Sequence, residues 1–233
     1  MIVIPMAGRS QRFYDAGYER PKFMLELEGR SVFAHAVGSF ETAFASTPFL
    51  FIAAAAAASF VRREAAALGI AEFEVVALDE ITAGQAETVE RGLDAVGWAG
   101  ALTIFNIDTF RPGFAFPGEP LASADGWLEV FRGSGDNWSY VRPAPDGPWA
   151  LETAEKRPIS DLCCTGLYHF AQAADFRMAL AAERLAPQAR ELYVAPLYNH
   201  LIAQGARIGW RLIEPCEVVF CGTPAEYEAL LRA

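Results

Sequence analysis

Seven residues, Ala7-Gly8-Arg9-Ser10-Gln11-Arg12-Phe13, carry the first recognisable chemistry in the chain. They follow the short apolar run Ile2-Val3-Ile4, which reads as a buried strand. A loop that opens with glycine directly after such a strand lets backbone N–H groups come close to a phosphate chain. Arg9 and Arg12 add guanidinium forks that bind phosphate oxygens in pairs. Arg20 and Lys22 follow, so four cations fall within one short segment of a chain whose net charge is −10. That concentration makes a local anion site in an otherwise acidic protein. Of the 19 basic residues only two are lysine, Lys22 and Lys156. A position that stays Lys against an arginine background calls for a compact, flexible ammonium rather than a planar fork.

The elements that must position these groups alternate. Beyond Ile2–Ile4, a helix is expected over residues 31–45, a second strand from Phe49 to Ala53, and a helix from the alanine run Ala53–Ala58 to a stop at Gly69. Phe73–Leu78 reads as a third strand, Gly84–Val96 as a helix and Leu102–Ile107 as a fourth strand ending at Asp108. Continuous apolar strands alternating with helices imply a mostly parallel sheet covered on both faces. In such sheets ligands sit beyond the carboxyl ends of the strands. The loop after Ile4 and Asp108 both fall there. From 111 to 150 the helix signals vanish and Gly, Pro and Trp rise, which reads as an irregular excursion with short strands at Trp127–Phe131 and Trp138–Val141. Further expectations are a strand near Gly166–Phe170, helices near Ala174–Leu185 and Pro196–Gln204, a strand Glu217–Phe220 and a terminal helix. No polar linker brackets the excursion, so residues 1–233 read as a single domain.

The stretch Ala7–Phe13 followed by Pro21-Lys22 resembles the sugar-phosphate nucleotidyltransferase family. Its members begin with a short strand, a loop of the form Ala-Gly-x-Gly-x-Arg-Phe, and Pro-Lys about ten residues on. Leu25-Glu26-Leu27-Glu28-Gly29-Arg30-Ser31-Val32 is similar to the stretch that follows. Ser10 stands where a second glycine is usual. The resemblance implies that Arg12 and Lys22 neutralise a triphosphate and its α-phosphate, with Ala7, Gly8, Arg9 and Ser10 forming the nucleotide loop. Thr82-Ala83-Gly84-Gln85 resembles the segment that meets the base, through Thr82, Gly84 and Gln85. Glu80 falls where uracil-binding relatives carry glutamine. A carboxylate only accepts hydrogen bonds, so Glu80 would favour a base with an exocyclic amine, CTP or GTP.

Asp108, after Asn106-Ile107, matches the family's metal-binding aspartate, and Mg²⁺ takes one carboxylate together with phosphate oxygens and water. Asn106, Glu155, Lys156, Gly166 and Tyr193 match the side that holds the second, phosphorylated substrate. Many relatives carry a second metal-binding aspartate two residues before a late Gly-Thr, and this chain has Phe220 there. The implied fold is a three-layer, Rossmann-like α/β nucleotidyltransferase fold, similar to the GT-A type, with a mostly parallel central sheet. The implied reaction couples an NTP to a phosphorylated acceptor, by default a sugar 1-phosphate, for capsule or surface-polysaccharide precursors. A cytidylyltransferase for a small non-sugar phosphate, a GT-A-type glycosyltransferase and a catalytically weak nucleotide-binding module are the alternatives.

Composition excludes other classes. A nucleic-acid binder would carry basic charge. No apolar run reaches the ~18 residues needed to span a bilayer, and Met1 leads straight into an apolar strand, so a cytoplasmic protein is expected. The four cysteines, Cys163, Cys164, Cys216 and Cys221, lack zinc-site spacing, and His35, His169 and His200 share none. The sequence leaves a homo-oligomer open.

Overall fold

The computed structural model describes residues 1–232. Strand β1 (Ile2–Met6) lies at the centre, because its first three side chains are apolar and need cover on both faces. A short helix α1 (Gln11–Asp15) and a small hairpin, β2 (Glu26–Leu27) and β3 (Arg30–Ser31), lead to α2 (Val32–Gly38). The Ser31 hydroxyl caps α2 by accepting from the Ala34 N–H at 3.1 Å. The chain then alternates through β4 (Phe49–Ala54), α3 (Ala58–Ala67), β5 (Phe73–Leu78), α4 (Gln85–Val96) and β6 (Leu102–Phe105).

β1 pairs in parallel with β4 on one side and with β6 on the other, and β4 pairs in parallel with β5. The central strands are therefore parallel, as expected. The chain builds outward from β1 to β4 and β5, then returns to the other side of β1 with β6. That reversal opens a crevice between the carboxyl ends of β1 and β6.

Alternation along the strands sends side chains to two cores. Ile2, Ile4, Phe49 and Phe51 meet Val32, Phe33 and Val37 of α2 and Val61 of α3. Val3, Leu50 and Ile52 meet Val89 and Leu93 of α4 on the opposite face. Two faces buried by helices make three layers.

The alanine run does not form one helix. Ala53 and Ala54 end β4, Ala55–Ala57 form a 3₁₀ turn, and α3 starts at Ala58. Parallel pairing with β5 up to Ala54–Leu78 outweighs the helix preference of alanine there.

The excursion joins the same sheet. After β7 (Thr109–Phe110) come β8 (Gly126–Arg132), β9 (Ser139–Pro143), β10 (Ala150–Glu155) and the long β11 (Leu162–Phe170). β11 pairs antiparallel with β6, β8 and β9, so it ties the excursion to the parallel half. Helices α5 (Ala173–Leu185) and α6 (Leu197–Ala203) cover this half. β12 (Ile208–Ile213) pairs with β8, and β13 (Val219–Phe220) pairs with β7 before α7 (Pro224–Leu231). β10 and β12 have no counterpart in the sequence reading. Leu-Glu-Thr-Ala-Glu within β10 is poor in β-branched residues, and β12 carries Gly209 and Arg211, so neither shows a clean strand period. No helix among the described residues is long and apolar enough to cross a membrane.

Candidate active site

The crevice widens into a cavity of about 770 Å³. Its first wall is the loop after β1. Ser10 takes a left-handed conformation, φ 50°, just before α1. That conformation explains why glycine is usual there, since a side chain in it costs roughly 1–2 kcal/mol. The Ser10 hydroxyl offsets part of this cost by accepting the Lys22 backbone N–H at 3.3 Å, which ties the loop to Pro21-Lys22. Buried Phe13 anchors α1 against Tyr18, with ring centroids 5.5 Å apart. Ala7, Gly8, Arg9, Ser10 and Arg12 line the cavity. Arg20 is exposed and lies outside it.

The Lys22 ammonium contacts the Asp108 carboxylate, and both side chains are 21% exposed. Asp108 therefore sits where β6 delivers it, at the switch point beside the arginine-bearing loop. Asn106 is fixed by two neighbours. Its backbone N–H donates to the Gly166 carbonyl at 3.0 Å, and its side-chain oxygen accepts from Gln85 Nε2 at 2.6 Å. Gly166 has φ +95°, and a Cβ there would stand 2.4 Å from Asn106 Nδ2. The packing of Asn106 by itself requires glycine at 166.

Thr82, Gly84 and Gln85 line a further part of the cavity. The loop before α4 is laced to residue 192: Leu192 N–H donates to Ala83 O at 3.1 Å, and Ala86 N–H donates to Leu192 O at 2.8 Å. A Cβ at Gly84 would meet the Leu192 nitrogen at 2.5 Å. Glu80 is not part of this wall. Its side chain is 82% exposed and lies 3.8 Å from Arg91. Strand β5 ends at Leu78, and the cavity lining begins at Ile81. The base-reading role expected for Glu80 has no geometric support.

The far end holds Glu155 and Tyr193. Burial pushes Glu155 above the usual carboxylate range; a hydrogen bond from Ser139 Oγ and the nearby Lys156 charge oppose the shift. Lys156 stands on the rim, outside the lining, in a left-handed conformation with φ 54°. Its ammonium donates to Tyr193 Oη at 2.6 Å, lies 4.6 Å from that ring's centroid and is 3.8 Å from Glu155 Oε1. Trp138, Tyr168 and Glu191 complete this end; the sequence reading places Trp138 and Tyr168 in strands and Glu191 at the start of an acceptor-side segment, but singles out none of the three as a site residue. They come from the bend before β9, from β11 and from the loop before α6, and nothing in their local spacing singles them out.

Phe220, at the place of the missing second aspartate, packs against Trp138 and Phe131, with centroids 4.7 and 5.1 Å apart. Glu226 also faces the cavity. It completes the spacing Thr223-x-x-Glu226, the helix-start signal of α7.

The donors fit a hard divalent cation. Asp108 offers carboxylate oxygen beside the phosphate-binding loop, and no group of three or more His, Cys, Asp or Glu side chains gathers among the described residues. Mg²⁺ suits such a place because it completes its shell with water and substrate phosphates. The histidines sit apart: His35 bonds Leu27 O at 2.8 Å, His169 contacts Thr103 Oγ1 at 2.9 Å, and His200 pairs with Glu183 at 2.8 Å. The four cysteines are free, and burial pushes Cys221 up to about 12.

No family model matches the chain, and no curated protein matches it. Solved structures do. The nucleoside-diphosphate-sugar pyrophosphorylase from Vibrio cholerae RC9 is 50% identical over 100% of both chains, with a TM-score of 0.94. A glucose-1-phosphate thymidylyltransferase from Bacillus anthracis, described as putative in its structure, is 17% identical, with TM-score 0.76 over 99% of this chain and 93% of that one. The inositol-1-phosphate CTP transferase from T. maritima is 11% identical, with TM-score 0.76 over 99% and 94%. These two share the fold. Identity of 50% along the whole length shows more: the chain belongs to the nucleoside-diphosphate-sugar pyrophosphorylase family and is a nucleotidyltransferase.

Proposed function

We propose that the protein couples an NTP to a sugar 1-phosphate and releases pyrophosphate, in the cytoplasm, toward capsule or surface-polysaccharide precursors. The observation that carries this reading is the Lys22–Asp108 contact at the mouth of β1 and β6, flanked by Arg9 and Arg12. The acceptor phosphate oxygen forms a bond to the α-phosphorus, the bond to the β-phosphate oxygen breaks, and the electron pair leaves with pyrophosphate. The attacking oxygen is already anionic, so no side chain has to remove a proton. The protein aligns two polyanions and cancels their repulsion.

Arg9 and Arg12 hold the triphosphate. Lys22 exchanges its contact with Asp108 for the α-phosphate, where negative charge accumulates. Asp108 would hold Mg²⁺, which supplies charge stabilisation to the phosphates when bound. Thr82 and Gln85 present neutral groups to the base. With Glu80 outside the cavity, the expected preference for CTP or GTP loses its basis. Glu155, Asn106 and Tyr193 meet the acceptor, and Lys156 draws its phosphate in from the rim.

A second reading has an observation in its favour. Glu155 and Glu191 face the acceptor end among aromatic rings, with Lys156 the cation beside them, an arrangement that also suits a small non-sugar phosphate with a cationic tail. A thermal-shift screen of the four NTPs with Mg²⁺, followed by pyrophosphate release on hexose 1-phosphates and amino-alcohol phosphates, tests both. Turnover with hexose 1-phosphates is expected. Turnover confined to amino-alcohol phosphates would replace the first reading with the second.

A further inference from the structure

Resting on that nucleotidyl-transfer reading, we propose that Glu226 supplies the second carboxylate facing the divalent cation, in place of the aspartate that Phe220 displaces. The strand pairing sets the geometry. β13 runs beside β7 with Val219 opposite Phe110 and Phe220 opposite Thr109, and the Cys221 N–H donates to the Asp108 carbonyl at 2.8 Å. Residues 219–223 are thereby fixed alongside Asp108. The Phe220 ring joins Trp138 and Phe131 and offers no oxygen. Two residues on, a Cβ built at Gly222 would stand 3.0 Å from Asp108 Oδ2 and 3.7 Å from Glu226 Oε2. The two carboxylates flank one residue, and both line the cavity.

Glu226 is held in place before any ligand arrives. Its Oε2 accepts the Gly222 N–H at 2.9 Å and the Thr223 N–H at 2.8 Å. Its other oxygen makes no hydrogen bond among the described residues, and the side chain lines the cavity. The Lys22 ammonium sits on Asp108 Oδ2 in the free protein, and its move to the α-phosphate would free that oxygen for the ion. Two protein carboxylates with substrate phosphates and water complete a set that Mg²⁺ favours, whether Glu226 binds the ion or its water shell. The cap uses Oε2 alone, so it leaves the other oxygen free for the second role.

The test uses Mn²⁺ alone, titrated into the wild-type protein, Glu226→Gln and Asp108→Asn, with free ion read by electron paramagnetic resonance and bound ion by water-proton relaxation. Glutamine keeps an oxygen for the cap, so Glu226→Gln is expected to melt within about 4 °C of wild type. Its Mn²⁺ affinity is expected to fall roughly tenfold. Wild-type affinity in Glu226→Gln with weakened binding in Asp108→Asn overturns the role of Glu226 alone. Wild-type affinity in both variants overturns the metal assignment to Asp108 and with it this proposal. A fall in melting temperature with unchanged Mn²⁺ affinity leaves Glu226 as a helix cap and also overturns it.

Discussion

Lys22 and Asp108 hold opposite charges in contact, and an incoming α-phosphate competes for the same ammonium. Lys22→Ala removes a preorganised donor from the point where charge develops. Turnover is expected to fall ~10²-fold or more, measured as pyrophosphate release; near-normal turnover would contradict the role. Lys156 stands on the rim and touches Tyr193, so it binds rather than activates. Lys156→Ala should raise the acceptor KM several-fold with little change in kcat, as loss of uniform binding does. A collapse of kcat at unchanged KM would speak against it. Gly166→Ala forces a Cβ into the Asn106 amide at a positive φ and is expected to cost about 2 kcal/mol, lowering Tm by roughly 4–8 °C. At this scale the sequence was informative where residues are neighbours in the chain. Ser10, Arg12 and Lys22 lie within one short segment of chain, and their spacing carried the reading. Glu191 and Glu226 reach the cavity only through β-pairing and loop packing across long separations, and Glu226 is disguised by its capping spacing. Glu80 is close in sequence to Thr82, yet its side chain is exposed and lies near Arg91 rather than in the cavity lining.

Arg111 joins the excursion to the body of the fold. It is buried, pairs with buried Glu129 on β8 at 2.6 Å, and its backbone N–H donates to Ser39 Oγ beyond α2 at 2.8 Å. Removing one partner strands the other charge. Arg111→Met is expected to cost about 3–5 kcal/mol and to lower Tm by roughly 10 °C, with part of the loss recovered when Glu129→Leu is added. A single variant that melts like wild type would show that the pair does not clamp the excursion. The parallel elements β1, β4, β5 and β6 were legible because each is a compact apolar run between helix signals. β10 and β12 were not, since an edge strand rich in Ala and Glu and a strand interrupted by Gly209 take their form from partners rather than from local preference.

Across the whole molecule, an acidic chain concentrates Arg9, Arg12 and Lys22 on one wall of its main cavity. Added salt screens that attraction, so the NTP KM should rise with ionic strength. The fold also carries a pH dependence. Burial, reinforced by the charge of the chain's own amino terminus, lowers His169 from 6.5 to about 4. Between those values the unfolded chain binds a proton that the folded one does not. This contribution is therefore complete above 6.5 and is lost as pH falls toward 4. Melting curves from pH 7 to 4 should show a steeper fall for wild type than for His169→Gln; parallel curves would refute the assignment. The central claim, nucleotidyl transfer through Lys22 and Asp108, is tested most directly by pyrophosphate release from the four NTPs with Mg²⁺ and hexose 1-phosphates. Release that needs both substrates and is abolished in Lys22→Ala and Asp108→Asn is the expected result. No release from any NTP–acceptor pair, or release untouched by both substitutions, would contradict it.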